Sequence, residues 1–364
     1  MLPMSRELAD PASVGVDPAR LELLLRRARL DVERGQLPSA QIAVGRAGRL
    51  VAFETLGQAK PDTRYVLQSA GRPVIASVVW KLLGEGLIDL DAHVAELIPE
   101  FGTNGKEVVT VRQVLTHTGG FPMAPLGFPK MKDRSARLAA FSRWKLAWEP
   151  GSQLEFHLTS AAWVIAELVE RATRLPLAEY LRKQIAQPLG LTLDLGVPVA
   201  AQGNVARFTA TDAKEGEFEV DPWGPWYLRD PEVLAAGEPS HSVVATAADV
   251  ALLFQALYHS GLWTAEAVAE GTRAQVDMKL AGKYGAVGVQ TRMGLYVMLG
   301  GPATASPATF GHGGAPTQMS WCDPQSGLSF SFVTNGYPVT GYDRTRAGLN
   351  RIAVLGALAF DCLA

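Results

Sequence analysis

Residues 65–90 read YVLQSAGRPVIASVVWKLLGEGLIDL, and this stretch decides the fold. A short apolar lead-in, Tyr65, Val66 and Leu67, is followed by one small hydroxyl residue, Ser69. Beyond it Val74, Ile75, Val78, Val79, Leu82 and Leu83 recur at three-and-four spacing, the pattern of a buried helix. A side chain at the first turn of such a helix is held rigidly beside free backbone N–H groups, which favour developing negative charge. Two readings of Ser69 follow: an N-cap, for which Ser is a preferred residue, or a nucleophile.

Upstream, Leu21, Leu23, Leu24, Leu25 and Leu30 among Arg and Glu predict an amphipathic helix over 18–34, with Asp17 before Pro18 as its start. Gln41–Val44 and Leu50–Glu54 read as two strands joined by GRAGR, a turn whose glycines suit positive φ. Downstream, Gly86 ends the Ser69 helix. VTVRQVL (109–115) runs into THTGGF, and Ser160–Ala172 and Leu177–Ile185 read as further helices. Residues 201–238 lack clear periodicity and contain DPWGPWYLRDP, a punctuated loop bearing Trp223, Trp226 and Tyr227. These aromatics either staple the loop to the body or form a pocket wall. Thr246 and Gly261 bracket a helix. Met293–Leu299, Met319–Cys322 and Leu328–Thr334 read as antiparallel strands, and Thr345–Leu363 as a closing helix.

The fold class expected is α+β: a sheet of N- and C-terminal segments (1–68 and 245–364) flanked by helices, with a mainly helical insert (69–244). A net charge of −2 leaves no electrostatic footprint for nucleic acid or an anionic membrane. Cys322 and Cys362 allow one disulfide and no metal-type spacing, and free thiols are expected. No apolar run reaches the roughly 18 residues of a membrane span, and MLPMSRELADPASVG lacks the form of a signal peptide. A cytoplasmic protein is expected, with no cofactor, no metal, and a small molecule as its partner. There is no G-x-S-x-G elbow, H-E-x-x-H, P-loop or Rossmann fingerprint.

The order of segments resembles the serine β-lactamase and penicillin-binding-protein superfamily, especially its class C-like branch with the family VIII esterases. The residue 65–90 stretch is similar to the family's nucleophile helix, VTVRQVLTHTGGF to its LLTHTSG segment, and WEPGSQLEFHLTSAAWVIAELVE to the stretch bearing its second motif. IAQPLGL resembles the follower of that motif, and FGHGGAPTQMSWCDPQSGLSFSFVTNG the third-motif strand and the pair after it. The resemblance covers nearly the whole chain and implies a β-lactamase/transpeptidase-like fold with Ser69 at the nucleophile.

Two departures matter. The family pattern is Ser-x-x-Lys, with the amine three residues along the helix taking the proton from the serine. Here that position is Arg72, whose guanidinium stays protonated and cannot be a general base. Lys81 lies too far along the helix to replace it. The second motif's Tyr aligns with Phe156, which has no proton to give, and its Asn with Leu158. A one-residue slip would set His157 at the Tyr position instead. His312 stands for the third-motif Lys, followed by Gly313 and Gly314. Ala315 would supply an oxyanion-hole N–H together with that of Ser69. His241, in PSHSVVATAADV, replaces a Gly-rich turn and reads as a rim residue.

Three functions are compatible with these residues. One is a serine hydrolase or acyltransferase for a small ester or amide, with Ser69 acylated and His157 or His312 as base. A second is a non-hydrolytic enzyme that uses Arg72 as an anion or oxyanion clamp. The third is an inactive pseudo-hydrolase acting as a binding protein.

Overall fold

The structure is a computed structural model describing residues 3–214, 225–283, 285–302, 305–314, 317–339 and 342–363. The first helix spans Pro18–Glu33, and Asp17 caps it by accepting from the Ala19 and Arg20 N–H groups at 2.8 and 3.2 Å. The hairpin follows as β1 (Ser39–Arg46) and β2 (Arg49–Gly57), with Ala47 and Gly48 at φ 53° and 77° in the turn. Of the two glycines in GRAGR, only Gly48 uses positive φ; Gly45 sits in β1 beside a register shift.

The remaining strands are β3 (Tyr65–Val66), β4 (Leu154–Glu155), β5 (Leu193–Leu195), β6 (Thr209–Ala210), β7 (Val243–Ala245) and β8 (Val276–Ala281). They continue as β9 (Gln290–Met293), β10 (Met298–Leu299), β11 (Phe310–Gly314), β12 (Gln318–Asp323), β13 (Leu328–Thr334) and β14 (Gly336–Tyr337). Nine of them form one sheet in the order β2-β1-β13-β12-β11-β10-β9-β8-β4. Both ends of the chain therefore share a sheet: Ile42 of β1 pairs with Phe332 of β13, and both are fully buried. The structure has the expected α+β form, an antiparallel sheet flanked by helices with a helical subdomain inserted. The inserted segment also adds β4 to the sheet edge, parallel to β8.

One face of the sheet is covered by the Pro18–Glu33 and Tyr342–Asp361 helices, over a core that includes Leu24, Ile42, Phe330, Phe332 and Leu355. The other packs on the Ala247–His259 and Arg72–Gly84 helices, with Trp80, Phe254 and Phe310 in edge-to-face contact. Apolar burial of this kind is the dominant stabilising term. Thr246 caps its helix by accepting from Asp249 N–H at 3.1 Å, and Gly261 follows at φ 71°.

The reading of 293–299 as one strand is corrected. Gly294 N–H donates to Val297 O and Tyr296 stands at φ 65°, so the segment is the tip between β9 and β10. Alternating apolar residues conceal that turn because its left-handed residue is a Tyr, not a Gly. Cys322 and Cys362 are both free and buried. No helix among the described residues is long and apolar enough to cross a membrane.

Candidate active site

Ser69 is not the cap of its helix. It sits in a 3-10 turn, Gln68–Gly71, that precedes the Arg72–Gly84 helix, and no side-chain cap bond is made there. The turn is entered through Gln68 at φ 50°, a left-handed conformation uncommon outside Gly and costly for a residue with a Cβ. The cost is sustained because the turn is clamped on two sides. Leu67 N–H donates to Val243 O at 2.8 Å, extending the β3–β7 ladder, and a Cβ on Gly71 would lie 2.8 Å from the Val243 Cβ. On the other side, a Cβ on Gly314 would lie 2.6 Å from Leu67 O and 3.1 Å from Ala70 N. Gly314 thus lets β11 touch the backbone of the serine turn. Ser69 is left half-buried, and among the described residues its hydroxyl has no hydrogen-bond partner.

Arg72 follows one turn on and is 1 % exposed. Its Nη1 donates to the Tyr296 hydroxyl at 2.9 Å and its Nη2 to Leu158 O at 2.9 Å, while its carbon centre lies 5.0 Å from the Tyr296 ring centroid. Nε is buried without a partner, and no carboxylate pairs with this guanidinium among the described residues. Lys81 is engaged elsewhere, with Glu85 at 2.5 Å.

The three histidines around Arg72 differ in what their nitrogens do. His157 donates from Nδ1 to Glu155 O at 2.7 Å and accepts at Nε2 from Phe121 N–H at 2.9 Å, so both nitrogens are consumed by backbone. Burial pushes its pKa down to about 4. His117 was not picked out as a site residue by its sequence. It faces two donors, His157 N–H at 3.3 Å from Nδ1 and Arg72 Nη1 at 3.4 Å from Nε2. A neutral imidazole can accept from one of them only. Burial, reinforced by the Arg72 charge, holds His117 well below the ordinary histidine range. His312 donates from Nδ1 to Gly313 O at 2.6 Å, which leaves the Nε2 lone pair buried and unpartnered. Its ring lies 5.9 Å from that of Phe156, and burial followed by the Arg72 charge lowers its pKa to about 3. All three rings are neutral near pH 7.

Phe156 is 8 % exposed and lies edge-on to His117 at 5.3 Å. Gly313, unlike Gly314, has open space where a Cβ would be, the nearest atom being Gln318 O at 3.8 Å. Trp226 turns into an aromatic cluster with Phe208 and Tyr337 at 6.2 and 6.4 Å, the stapling role. Tyr227 points its hydroxyl at Glu238, 3.5 Å away, and burial raises its pKa well above the ordinary value. Ala315 and Trp223 lie outside the described residues. A separate cavity of about 690 Å³ is lined by Phe121, Met123, Leu126 and Trp144 among others and includes none of Ser69, Arg72 or His312.

The fold recurs in known proteins. The chain is 28% identical over 305 residues to Esterase/beta-lactamase LipL of Mycobacterium tuberculosis, covering 75% of this chain and 70% of that one. A penicillin-binding protein homologue from Caulobacter crescentus superposes with a TM-score of 0.81 at 25% identity, covering 96% and 99% of the two chains. EstA from Arthrobacter nitroguajacolicus superposes with a TM-score of 0.79 at 24% identity, covering 96% and 97%. Residues 25–355 match the Beta-lactamase family, a span that runs from the first helix through the serine turn and β11 to the last helix, and the chain therefore belongs to that family.

Proposed function

We propose that the protein is a serine hydrolase or acyltransferase for a small ester or amide, with Ser69 as the nucleophile. The observation that carries this reading is the serine turn itself. A strained Gln68, tight contacts to Val243 and Gly314, and a hydroxyl with no partner among the described residues combine in a half-buried position. A hydroxyl that only stabilised the fold would be expected to cap the helix or to bond a neighbour. The name Esterase/beta-lactamase borne by LipL supports acyl chemistry on an ester or amide.

In the acylation step the Ser69 oxygen attacks the ester carbonyl, and the carbonyl electron pair moves onto oxygen. The N–H groups of Ser69 and Ala315 receive that oxyanion, as the family resemblance implies. Arg72 takes no proton. Its fixed positive charge beside the turn favours the tetrahedral anion and keeps the surrounding imidazoles neutral. Phe156 presents an apolar ring where a phenol would stand.

The experiment is incubation with a fluorophosphonate or an activated ester, followed by intact-protein mass and peptide mapping. One adduct on Ser69, absent in Ser69→Ala, is expected. No adduct under any tested condition rejects the reading.

A second reading is favoured by one observation, the buried Arg72 Nε with no partner and no paired carboxylate. There the guanidinium would clamp a substrate anion and Ser69 would be dispensable. Ser69→Ala would then keep activity that Arg72→Ala loses.

A further inference from the structure

If Ser69 is acylated, something other than Arg72 and Phe156 must accept its proton. His157 has no free nitrogen, and His312 would have to become a cation in a buried pocket that already holds Arg72. A different imidazole, His241, is carried by the loop that leads into β7. Strands β3 and β7 pair antiparallel with Tyr65 opposite Ala245 and Val66 opposite Val244, and Leu67 N–H reaches Val243 O at 2.8 Å. Pairing ends there as the chain enters the Gln68–Gly71 turn, and a Cβ on Gly71 would also meet the Val243 Cβ at 2.8 Å, so Val243, two residues after His241, touches the turn on both sides of Ser69.

His241 is held by a carboxylate. Glu238 is 1 % exposed, and its Oε2 lies 2.8 Å from His241 Nδ1. A carboxylate only accepts, so Nδ1 carries the hydrogen and the lone pair is on Nε2. Glu238 is fixed in turn by the Ser240 N–H at 3.0 Å and the Ser240 hydroxyl at 2.8 Å, and it faces the Tyr227 hydroxyl at 3.5 Å. The Ser240 hydroxyl also lies 2.8 Å from His241 Nδ1. The His241 side chain keeps 16 % exposure, and its Nε2 makes no hydrogen bond among the described residues. Such a buried carboxylate, oriented imidazole and open Nε2 form the pair that activates a hydroxyl nucleophile.

The pair also shares the pocket electrostatically. Arg72 and His241 both act on His312, and Glu238 and Arg72 act with opposite sign on Tyr227 and Tyr296. Around His241 lie Glu238 and Ser240 from its own loop and His312 from β11, and Glu238 in turn meets Tyr227 of the Pro225–Arg229 turn. Glu238 is the one carboxylate among these groups, and it offsets the imidazolium formed when a proton is taken.

We infer that the Glu238–His241 pair is the general base for Ser69, replacing both the family's lysine and its tyrosine. This rests on the acyl-serine reading above. As the Ser69 oxygen bonds to the ester carbon, its proton passes to His241 Nε2. As the tetrahedral intermediate collapses, the C–O bond to the leaving group breaks and that proton passes to the departing alkoxide. Water or an alcohol then repeats the sequence in reverse on the acyl-serine, again giving its proton to Nε2. Glu238 remains a carboxylate throughout and is a positioning residue.

The test is the pH profile of kcat/KM for an activated ester in wild type, His241→Ala and Glu238→Gln, with melting curves and fluorophosphonate labelling of each. His241→Ala is expected to lose about 10²-fold or more in kcat/KM, to lose the acidic limb of the profile, and to regain activity with added imidazole. Glu238→Gln should lose about 10-fold or more while keeping the limb at a shifted position. If His241→Ala does not fold, His241→Gln carries the same test. A folded variant within about threefold of wild type, with its acidic limb unmoved, overturns the assignment while labelled Ser69 stands. A wild-type protein that is never labelled removes the acyl-serine reading and this inference together.

Discussion

The Arg72 guanidinium donates to the Tyr296 hydroxyl at 2.9 Å while lying 5.0 Å from the ring centroid of the same residue. Tyr296 is fully buried and stands at φ 65°, a backbone state that a bulky residue adopts only when its surroundings impose it. Arg72 thus has a dedicated side-chain acceptor, and neither partner is solvated. Tyr296→Phe leaves Nη1 with one fewer acceptor and should cost about 1–3 kcal/mol of stability, read from urea unfolding. Arg72→Ala should cost more, because the Leu158 carbonyl also loses its donor. A Tyr296→Phe protein as stable as wild type would show that the contact is incidental.

Gly313 and Gly314 separate a tolerant position from an intolerant one. Gly314→Ala forces a Cβ to within 2.6 Å of Leu67 O, so β11 must retreat from the serine turn. A misplacement on that scale is expected to cost about 10²-fold in kcat. Gly313→Ala meets nothing closer than 3.8 Å and should retain most activity. Equal losses in the two variants would contradict this division.

Acid should destabilise the protein through its buried imidazoles. An unfolded histidine titrates near 6.5, whereas His157 titrates near about 4 in the fold. Between those values the unfolded chain binds a proton that the folded chain refuses. The stability contribution is complete above about pH 6.5, shrinks as pH falls, and is gone below the folded pKa, a change of roughly 3 kcal/mol. His117 and His312 shift in the same direction. Urea midpoints should therefore fall between pH 7 and pH 4.5, and His157→Gln should flatten the slope. An unchanged slope would mean that His157 is charged or exposed.

Arg72→Lys combined with Phe156→Tyr would install the lysine–tyrosine proton-transfer pair that the sequence resemblance implies for these two positions. A lysine there has no carboxylate partner and would be desolvated, which favours the neutral amine. Esterase activity in the double variant is expected to rise by about 10-fold or more and to become independent of His241. A fall in activity would instead assign the fixed charge of Arg72 to the reaction.

Most of the order of elements, and the caps at Asp17 and Thr246, were legible in the chain. They depend on local periodicity and on side-chain chemistry, which a sequence displays directly. The sheet shared by both termini was legible too, because matching motifs occur in matching order along nearly the whole length. The left-handed Tyr296 was not, since φ is imposed there by packing around Arg72 and no glycine marks it. Nor was the engagement of His157, whose two partners are backbone groups and leave no trace in residue types. His241 showed only as a departure from a glycine-rich turn. The approach of its loop to the serine turn follows from the β3–β7 ladder, which joins segments far apart in the chain. Sequence determined which groups could carry a proton; the tertiary structure decided which of them has a free nitrogen, because that depends on where each nitrogen finds a partner.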